Sequence, residues 1–157
     1  MVGGAILLNG INDYISTEFV LNPADSVFSV IAWIKGGAAS QVILSQANGA
    51  NWLCTDSIKG NLMTELRMDL GRFKGDPLSS EVIINDGNWH RIAFVWDSSY
   101  RHLYIDGVEV ASDDEPLSGL NEAYGGLHIG TGSNCAEGTF FSGLIDDVRI
   151  YNRVVSP

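Results

Sequence analysis

Residues 52–72 combine one aromatic ring with three carboxylates and two guanidinium groups. Such a combination suits a sugar, because a pyranose presents an apolar face to an aromatic ring and a rim of hydroxyl groups to planar hydrogen-bonding groups. The sequence therefore predicts a ligand-binding set here. Its members are Trp52, Asp56, Glu65, Arg67, Asp69 and Arg72.

Each member of this set also has an ordinary structural interpretation. Trp52 lies in an apolar stretch and could pack as a buried strand residue instead. Glu65, Arg67 and their neighbours could form a solvated strand face that binds nothing. The residues alone leave both interpretations open.

The spacing of the acidic residues does not match that of a glycoside hydrolase. A retaining glycosidase needs two carboxyl groups about 5 to 5.5 Å apart. Glu65 and Asp69 stand four positions apart, too far along one strand, and the acidic run 113–115 falls in a loop. The histidines, His90, His102 and His128, adjoin no serine elbow and have no zinc-ligand spacing. We therefore expect a protein that is not an enzyme.

A period of two in apolar residues runs through most of the chain, and no segment keeps the 3.6-residue period of a substantial helix. About twelve short strands predict an all-β fold, an antiparallel β-sandwich or jelly roll. The predicted strands are residues 5–8, 14–18, 28–35, 42–46, 52–55, 62–69, 82–84, 90–97, 102–105, 108–111, 127–129 and 140–151.

Three local patterns are more specific. Both faces of residues 90–97 are apolar in the middle, which predicts a central strand covered on both sides. Residues 62–69 alternate, which places Met63, Glu65, Arg67 and Asp69 on an outer face. Asp106-Gly107 predicts a tight hairpin between two strands.

Length and charge limit the function classes. The 157 residues fit one domain, 1–157, which we interpret as a module of a longer protein. The 19 acidic residues outnumber 9 basic ones, and the net charge of -10 disfavours nucleic acid and anionic membranes as partners. No apolar run approaches the roughly 20 residues needed for membrane insertion. Cys54 and Cys135 could form a disulfide or remain free thiols.

Three stretches resemble a laminin-G-like domain of the concanavalin A-like lectin/glucanase superfamily. They are LNGINDYIS at 8–16, DGNWHRIAFVWDSSYRHLYIDGVEVA at 86–111 and FSGLIDDVRIYNRVVS at 141–156. The resemblance implies a concanavalin A-like jelly roll in a secreted or cell-surface protein. It also implies a non-catalytic module that binds a glycan or another protein, often with calcium.

The resemblance also suggests a structural calcium ion near the chain ends. Asp13 and Asp146 match the positions at which similar domains hold such an ion, and calcium prefers oxygen ligands. The alternation across residues 144–150 turns Asp146 toward the core, where a carboxylate needs a hydrogen-bond, ionic or metal partner. Hydrogen bonds without a metal are the alternative.

Two function classes remain. The first is a carbohydrate-binding module, which an exposed Trp52 beside polar groups would favour. The second is an adhesion or spacer domain for a protein partner, which buried tryptophans and a flat acidic surface would favour.

Overall fold

In the computed structural model, residues 3–70 and 73–157 are described. This part of the chain forms fourteen strands and contains no helix, hence none long and apolar enough to cross a membrane. The strands are β1 (Ile6–Asn9), β2 (Ile15–Phe19), β3 (Phe28–Gly36), β4 (Val42–Gln46), β5 (Asn51–Thr55), β6 (Asn61–Thr64), β7 (Asp69–Leu70), β8 (Phe73–Lys74), β9 (Leu78–Ile83), β10 (Trp89–Trp96), β11 (Arg101–Ile105), β12 (Val108–Ser112), β13 (Gly126–Ile129) and β14 (Ser142–Tyr151).

Two antiparallel six-stranded sheets make the sandwich. The first sheet has the order β1-β14-β3-β10-β11-β12, and the second has the order β2-β13-β4-β5-β6-β9. Strands β7 and β8 pair separately. The all-β sandwich predicted from the alternation is confirmed. The single strand predicted for residues 62–69 is divided into β6 and β7.

The core lies between the two sheets. Phe28 of the first sheet contacts Trp52 of the second, with ring centroids 5.3 Å apart, and the Phe28 and Phe94 ring centroids are 5.5 Å apart. Aromatic pairs at these distances contribute beyond their area burial. Trp52 therefore belongs to the packing that joins the sheets.

Strand β10 is covered on both faces, as its sequence predicts. Ile92 and Phe94 face the core, while Ala93 and Val95 on the other side are also buried. Part of this outer cover comes from the end of the chain. The hydroxyl group of Ser29, which pairs with Val95, donates to the Arg153 carbonyl at 2.8 Å and accepts from the Val155 amide at 3.1 Å.

The Asp106-Gly107 hairpin is also confirmed. Asp106 and Gly107 have positive φ angles of 52° and 82°, which a two-residue turn with the twist of its strands requires. Strands β11 and β12 pair on either side of this turn.

Strand β14 departs from strict alternation. Asp146 pairs with Trp33 and Arg149 with Ile31, so β14 carries one extra residue between them, and Asp147 adopts φ 49°. Ile145 faces the core before this bulge, and Val148 packs against the core after it.

The predicted core-facing position of Asp146 is therefore wrong. Asp146 lies on the outer face of the first sheet, opposite Trp33, because the bulge reverses the alternation that the sequence suggested. A β-bulge inserts one extra residue into a strand. A two-residue period that is correct for the residues after the bulge therefore assigns the wrong face to the residues before it.

Candidate functional site

One end of the sandwich carries a polar cleft of about 280 Å³, here called the loop-end cleft. Four chain segments meet there: the loop before β3, the turn between β4 and β5, the residues after β6 and the loop between β12 and β13. The lining residues are Pro23, Gln46, Asn48, Gly49, Ala50, Glu65, Leu66, Arg67, Asn121, Glu122 and Ala123.

Gln46 holds three of these segments together. Its side chain is 0% exposed, and its Nε2 donates to the carbonyls of Leu21 at 2.9 Å, Ala123 at 3.2 Å and Gly125 at 3.0 Å. A buried side-chain NH2 group bonded to carbonyls of several loops fixes the relative position of those loops. Gln46 therefore sets the shape of the loop-end cleft.

Close backbone approach explains the Gly125-Gly126 pair beside this cleft. The Ala47 amide donates to the Gly126 carbonyl at 2.9 Å. A Cβ atom at Gly125 would collide with the Ala47 carbonyl, and one at Gly126 would collide with the Thr17 carbonyl. Only glycine allows these loops to lie so close together.

A second cleft of about 300 Å³ lies on the outer face of the second sheet, here called the sheet-face cleft. Val42, Cys54 and Met63 give it an apolar floor. Polar groups surround this floor, and they are Ser40, Asn51, Thr55, Asp56, Ser57, Glu65 and Thr139.

Glu65 lines both clefts and joins them into one polar surface. Its carboxylate accepts from the Asn51 side-chain amide at 2.6 Å, and the Asn51 side-chain oxygen accepts from the Ser133 amide at 3.0 Å. The pair thereby connects the second sheet with the glycine-rich loop before β14. Fixed hydroxyl, amide and carboxylate groups beside an apolar floor are suited to a polyhydroxylated ligand.

The structure brings three of the predicted ligand-binding residues to this surface. Glu65 lines both clefts, Arg67 lines the loop-end cleft, and Asp56 lines the sheet-face cleft. The outer position predicted for Met63, Glu65 and Arg67 agrees with their partial exposure beside the buried Leu62 and Leu66.

Asp56 also has a structural role. Its Oδ1 accepts from the backbone amides of Ile58, Lys59, Gly60 and Asn61 at 2.7–3.3 Å. Burial acts to raise the pKa of Asp56, but these four donors outweigh burial and lower it. The carboxylate closes the turn between β5 and β6 and stays ionised.

The remaining predicted residues do not reach the clefts or cannot be placed in them. Trp52 is 0% exposed in the core and offers no face to a ligand, so its role as a sugar platform is wrong. Its neighbours Leu53 and Cys54 are buried as well, so local alternation could not reveal which way it points. Asp69 lies in β7, and Arg72 lies outside the described residues.

The sequence pattern of the family described as the concanavalin A-like lectin/glucanases superfamily matches residues 9–157. The chain belongs to this superfamily. No curated protein matches it.

Two of the solved structures that are similar to this domain hold a bound carbohydrate. Domain 4 of AbnA, a GH43 extracellular arabinanase from Geobacillus stearothermophilus, was solved with arabinotriose. It is 25% identical with a TM-score of 0.65, and the match covers 96% of this chain and 71% of that one. The CBM40 of a Ruminococcus gnavus IT-sialidase, bound to α2,3-sialyllactose, is 18% identical with a TM-score of 0.57, and the match covers 92% of each chain.

The binding domain of Paraclostridial Mosquitocidal Protein 1 is also similar. It is 18% identical with a TM-score of 0.74, and the match covers 96% of this chain and 40% of that one. Likeness at this level of identity concerns the fold, because function in such folds depends on the loops.

The predicted calcium ligands do not lie together in this lectin/glucanase-superfamily domain. The Asp13 carboxylate accepts from the Asn9 amide at 3.2 Å, and Asn9 pairs with Ser142. Asp146 lies four residues farther along β14, about 13 Å at the usual rise per residue. Two carboxylates on one calcium ion need oxygens within about 5 Å, so one ion does not fit both.

Each carboxylate has a local role instead. Asp13 closes the turn after β1, and Asp146 Oδ1 accepts from the Asp147 amide at the bulge at 2.8 Å. Among the residues described, no three His, Cys, Asp or Glu side chains form a group that could hold a metal ion. The residues thus do not fit a shared calcium site.

We expect the effects of Asp13→Asn and Asp146→Asn on the free energy of unfolding to be additive. Groups this far apart without a shared partner add to within about 0.5 kcal/mol. Urea unfolding of both single variants and the double variant measures this. If the loss in the double variant differed from the sum of the two single losses by more than about 1 kcal/mol, the two carboxylates would share a site after all.

Each of two histidines on the first sheet lies between two carboxylates. His90 contacts Asp106 and Asp86, each at 3.0 Å, while His102 contacts Glu109 at 2.9 Å and Asp97 at 3.0 Å. Burial acts to lower the pKa of both histidines, but the carboxylates outweigh it and raise each pKa above 6.5. The charged form is therefore favoured in the folded state.

This arrangement predicts a stability that falls as the pH rises. A raised folded pKa contributes stability that is full below about pH 6.5 and is lost as the pH passes the folded pKa. We expect the melting temperature to fall by only about 1 to 3 °C through this range, because solvent screens the partly exposed carboxylates. Thermal unfolding of the wild type and a His90→Gln/His102→Gln variant measures it, and an equal fall in both would contradict this origin.

The two cysteines are not bridged. Cys54 is buried, and burial raises its pKa well above the ordinary value. The thiol of Cys135 lies 3.7 Å from His128 Nδ1, a nitrogen that is also 3.2 Å from the Gly132 carbonyl. Of the alternatives the sequence left open, the structure shows the free thiols.

Proposed function

We propose that this domain is a non-catalytic carbohydrate-binding module of a larger secreted or cell-surface protein. The observation that carries the proposal is the continuous polar surface formed by the loop-end cleft and the sheet-face cleft, with Glu65 between them. Similar domains solved with arabinotriose and with sialyllactose support a glycan as the ligand.

Charge favours a neutral glycan. The chain carries a net charge of -10, and Glu65 and Glu122 outnumber the single Arg67 in the loop-end cleft. Carboxylates accept hydrogen bonds from sugar hydroxyl groups and repel an anionic ligand. The ligand we propose is a neutral polysaccharide or oligosaccharide.

The absence of catalysis is part of the proposal. A glycosidase needs one carboxylic acid whose pKa is raised so that it can protonate the leaving group. Asp56 and Glu65 share the sheet-face cleft, but the backbone amides lower the pKa of Asp56, and Glu65 is engaged by Asn51. These groups suit binding better than proton transfer.

Protein adhesion is the second candidate. The edge strand β1 and the turn after it expose Ile6, Leu7 and Ile11, and Trp52 is buried. Exposed apolar groups on an edge strand favour contact with another protein. The polar clefts lie elsewhere, so the two candidates are separable by mutation.

The test is retention of the domain in native gels that contain arabinan, xylan or mixed-linkage β-glucan. We expect at least one neutral polysaccharide to retard the wild type, with no release of reducing ends. Arg67→Ala should weaken retention about tenfold, because a hydrogen bond to a charged group contributes about 1.5 to 3 kcal/mol. Arg149→Ala, which removes an exposed arginine of the first sheet, is the matched control and should change little.

Failure of every neutral polysaccharide to retard the wild type would rule out the glycan proposal. Adhesion would then rank first, and a Leu7→Asp variant would test the exposed edge.

A further inference from the structure

An exposed aromatic pair lies at the same end of the sandwich as the loop-end cleft. Phe19 ends strand β2, and Tyr124 lies in the loop between β12 and β13. Their rings stack with centroids 6.3 Å apart and an angle of 29°. Phe19 is 52% exposed and Tyr124 is 65% exposed, so much of the surface of Tyr124 is open to solvent.

The position of Tyr124 is fixed by its neighbours. Its hydroxyl group donates to the Glu122 carboxylate at 3.1 Å, and the Ala123 amide donates to the side-chain oxygen of Asn22 at 3.0 Å. On the other side, the Gly125 carbonyl accepts from Gln46 at 3.0 Å. A side chain whose hydroxyl group and flanking backbone are held in this way loses little conformational entropy when a ligand covers it.

The aromatic pair adjoins two clefts. Glu122 and Ala123, the residues just before Tyr124, line the loop-end cleft. Phe19 lines a further cleft of about 220 Å³ together with Asn22 and Asp25. A ligand that extends beyond the loop-end cleft past Glu122 therefore comes next to Tyr124.

We propose that Tyr124, supported by Phe19, is a stacking platform for a sugar ring of the neutral glycan bound in the loop-end cleft. This inference rests on the proposed function and names the residue that binds the next sugar along the ligand. The apolar face of a sugar packs on an aromatic ring, while its equatorial hydroxyl groups need acceptors at the rim. Glu122 and Asp25 provide such acceptors, and their charge repels sugars that carry a carboxylate.

The experiment compares Tyr124→Ala with Tyr124→Phe and with a control at another exposed tyrosine. Tyr14→Ala is the control, because Tyr14 is 43% exposed and precedes β2 at the end opposite Phe19. Affinity is measured in native gels with the neutral polysaccharides named above and with polygalacturonate. Thermal unfolding of each variant shows that it is folded.

We expect Tyr124→Ala to weaken binding to the retained neutral polysaccharide about threefold to tenfold, the range of one aromatic contact. Tyr124→Phe should retain most of the affinity, and Tyr14→Ala should change it less than twofold. Polygalacturonate should not retard the wild type.

Three results would overturn the platform, and they are distinguishable. If the wild type binds a polysaccharide and Tyr124→Ala binds it equally well, only the platform is wrong. If the wild type binds none, the proposed function fails and the platform fails with it. If sedimentation shows a self-association that Tyr124→Ala abolishes while glycan affinity is unchanged, the aromatic pair is a contact between copies of the chain.

Discussion

Replacing Arg101 by methionine is expected to destabilise the domain by about 3 to 5 kcal/mol, the usual cost of leaving a buried charge without its partner. Arg101 lies in β11 and is buried, and its guanidinium group donates to the Asp113 carboxylate at 2.6 Å. It also donates to the carbonyls of Leu66 at 2.7 Å and Asp76 at 3.0 Å.

These contacts connect the first sheet with the segment that carries Glu65 and Arg67. Methionine has a similar length but no donor, so Asp113 and two carbonyls would lose a buried partner. Arg101→Met should therefore disturb the loop-end cleft as well as lower the free energy of unfolding.

Urea unfolding measures the loss, with Arg149→Met as the matched exposed control. A second variant, Arg101→Met/Asp113→Leu, should recover part of the stability, because replacing both charges leaves neither one unpaired. A loss below about 1 kcal/mol in the single variant would show that the Arg101 contacts contribute little.

The second large effect is expected for Gln46→Glu. The two N–H bonds of the buried Nε2 group are shared among three carbonyl oxygens, and a carboxylate at the same place would face three acceptors. We expect a loss of at least about 3 kcal/mol at neutral pH, because a buried charge without donors is strongly unfavourable. Retention on neutral polysaccharides should fall with it, since Gln46 positions the loops of the loop-end cleft.

Gln41→Glu is the matched control for this change. The side-chain oxygen of Gln41 accepts from the Ala38 amide at 2.9 Å and from the amide and hydroxyl groups of Ser142, each at 3.0 Å. A glutamate can accept the same bonds, so this variant should stay close to the wild type. Equal stability of the two glutamate variants would contradict the assigned role of Gln46.

The alternation of apolar residues predicted most of the framework. It identified β10 as a strand buried on both faces, and the Asp-Gly pair identified the turn between β11 and β12. These features depend on local chemistry: side chains alternate along a strand, and turns favour residues that accept positive φ. Most strands of both sheets could therefore be derived before their pairing was known, although the bounds predicted for β6 and β9 differ from those in the structure.

The features that the sequence did not reveal depend on contacts between distant segments. The bulge at Asp147 turned Asp146 to the outer face, and no pattern within residues 144–150 marks it. Trp52 is buried among other buried residues, so its orientation follows from the opposite sheet. Gln46 and Glu122 lie far apart in sequence, and the cleft that both line exists only because four chain segments meet there. An Asn-Glu-Ala-Tyr-Gly-Gly stretch in a long loop was the one available signal for an exposed aromatic residue.

The most direct test of the central claim is a titration of the ¹⁵N-labelled domain with an oligosaccharide of the retained neutral polysaccharide. Amide chemical shifts report where the ligand binds. We predict that the largest changes in amide chemical shift cluster at Asn48-Gly49, Glu65–Arg67 and Asn121–Tyr124. The chemical shifts on the outer face of the first sheet should stay unchanged. Changes confined to β1, or no change with any neutral oligosaccharide, would contradict it.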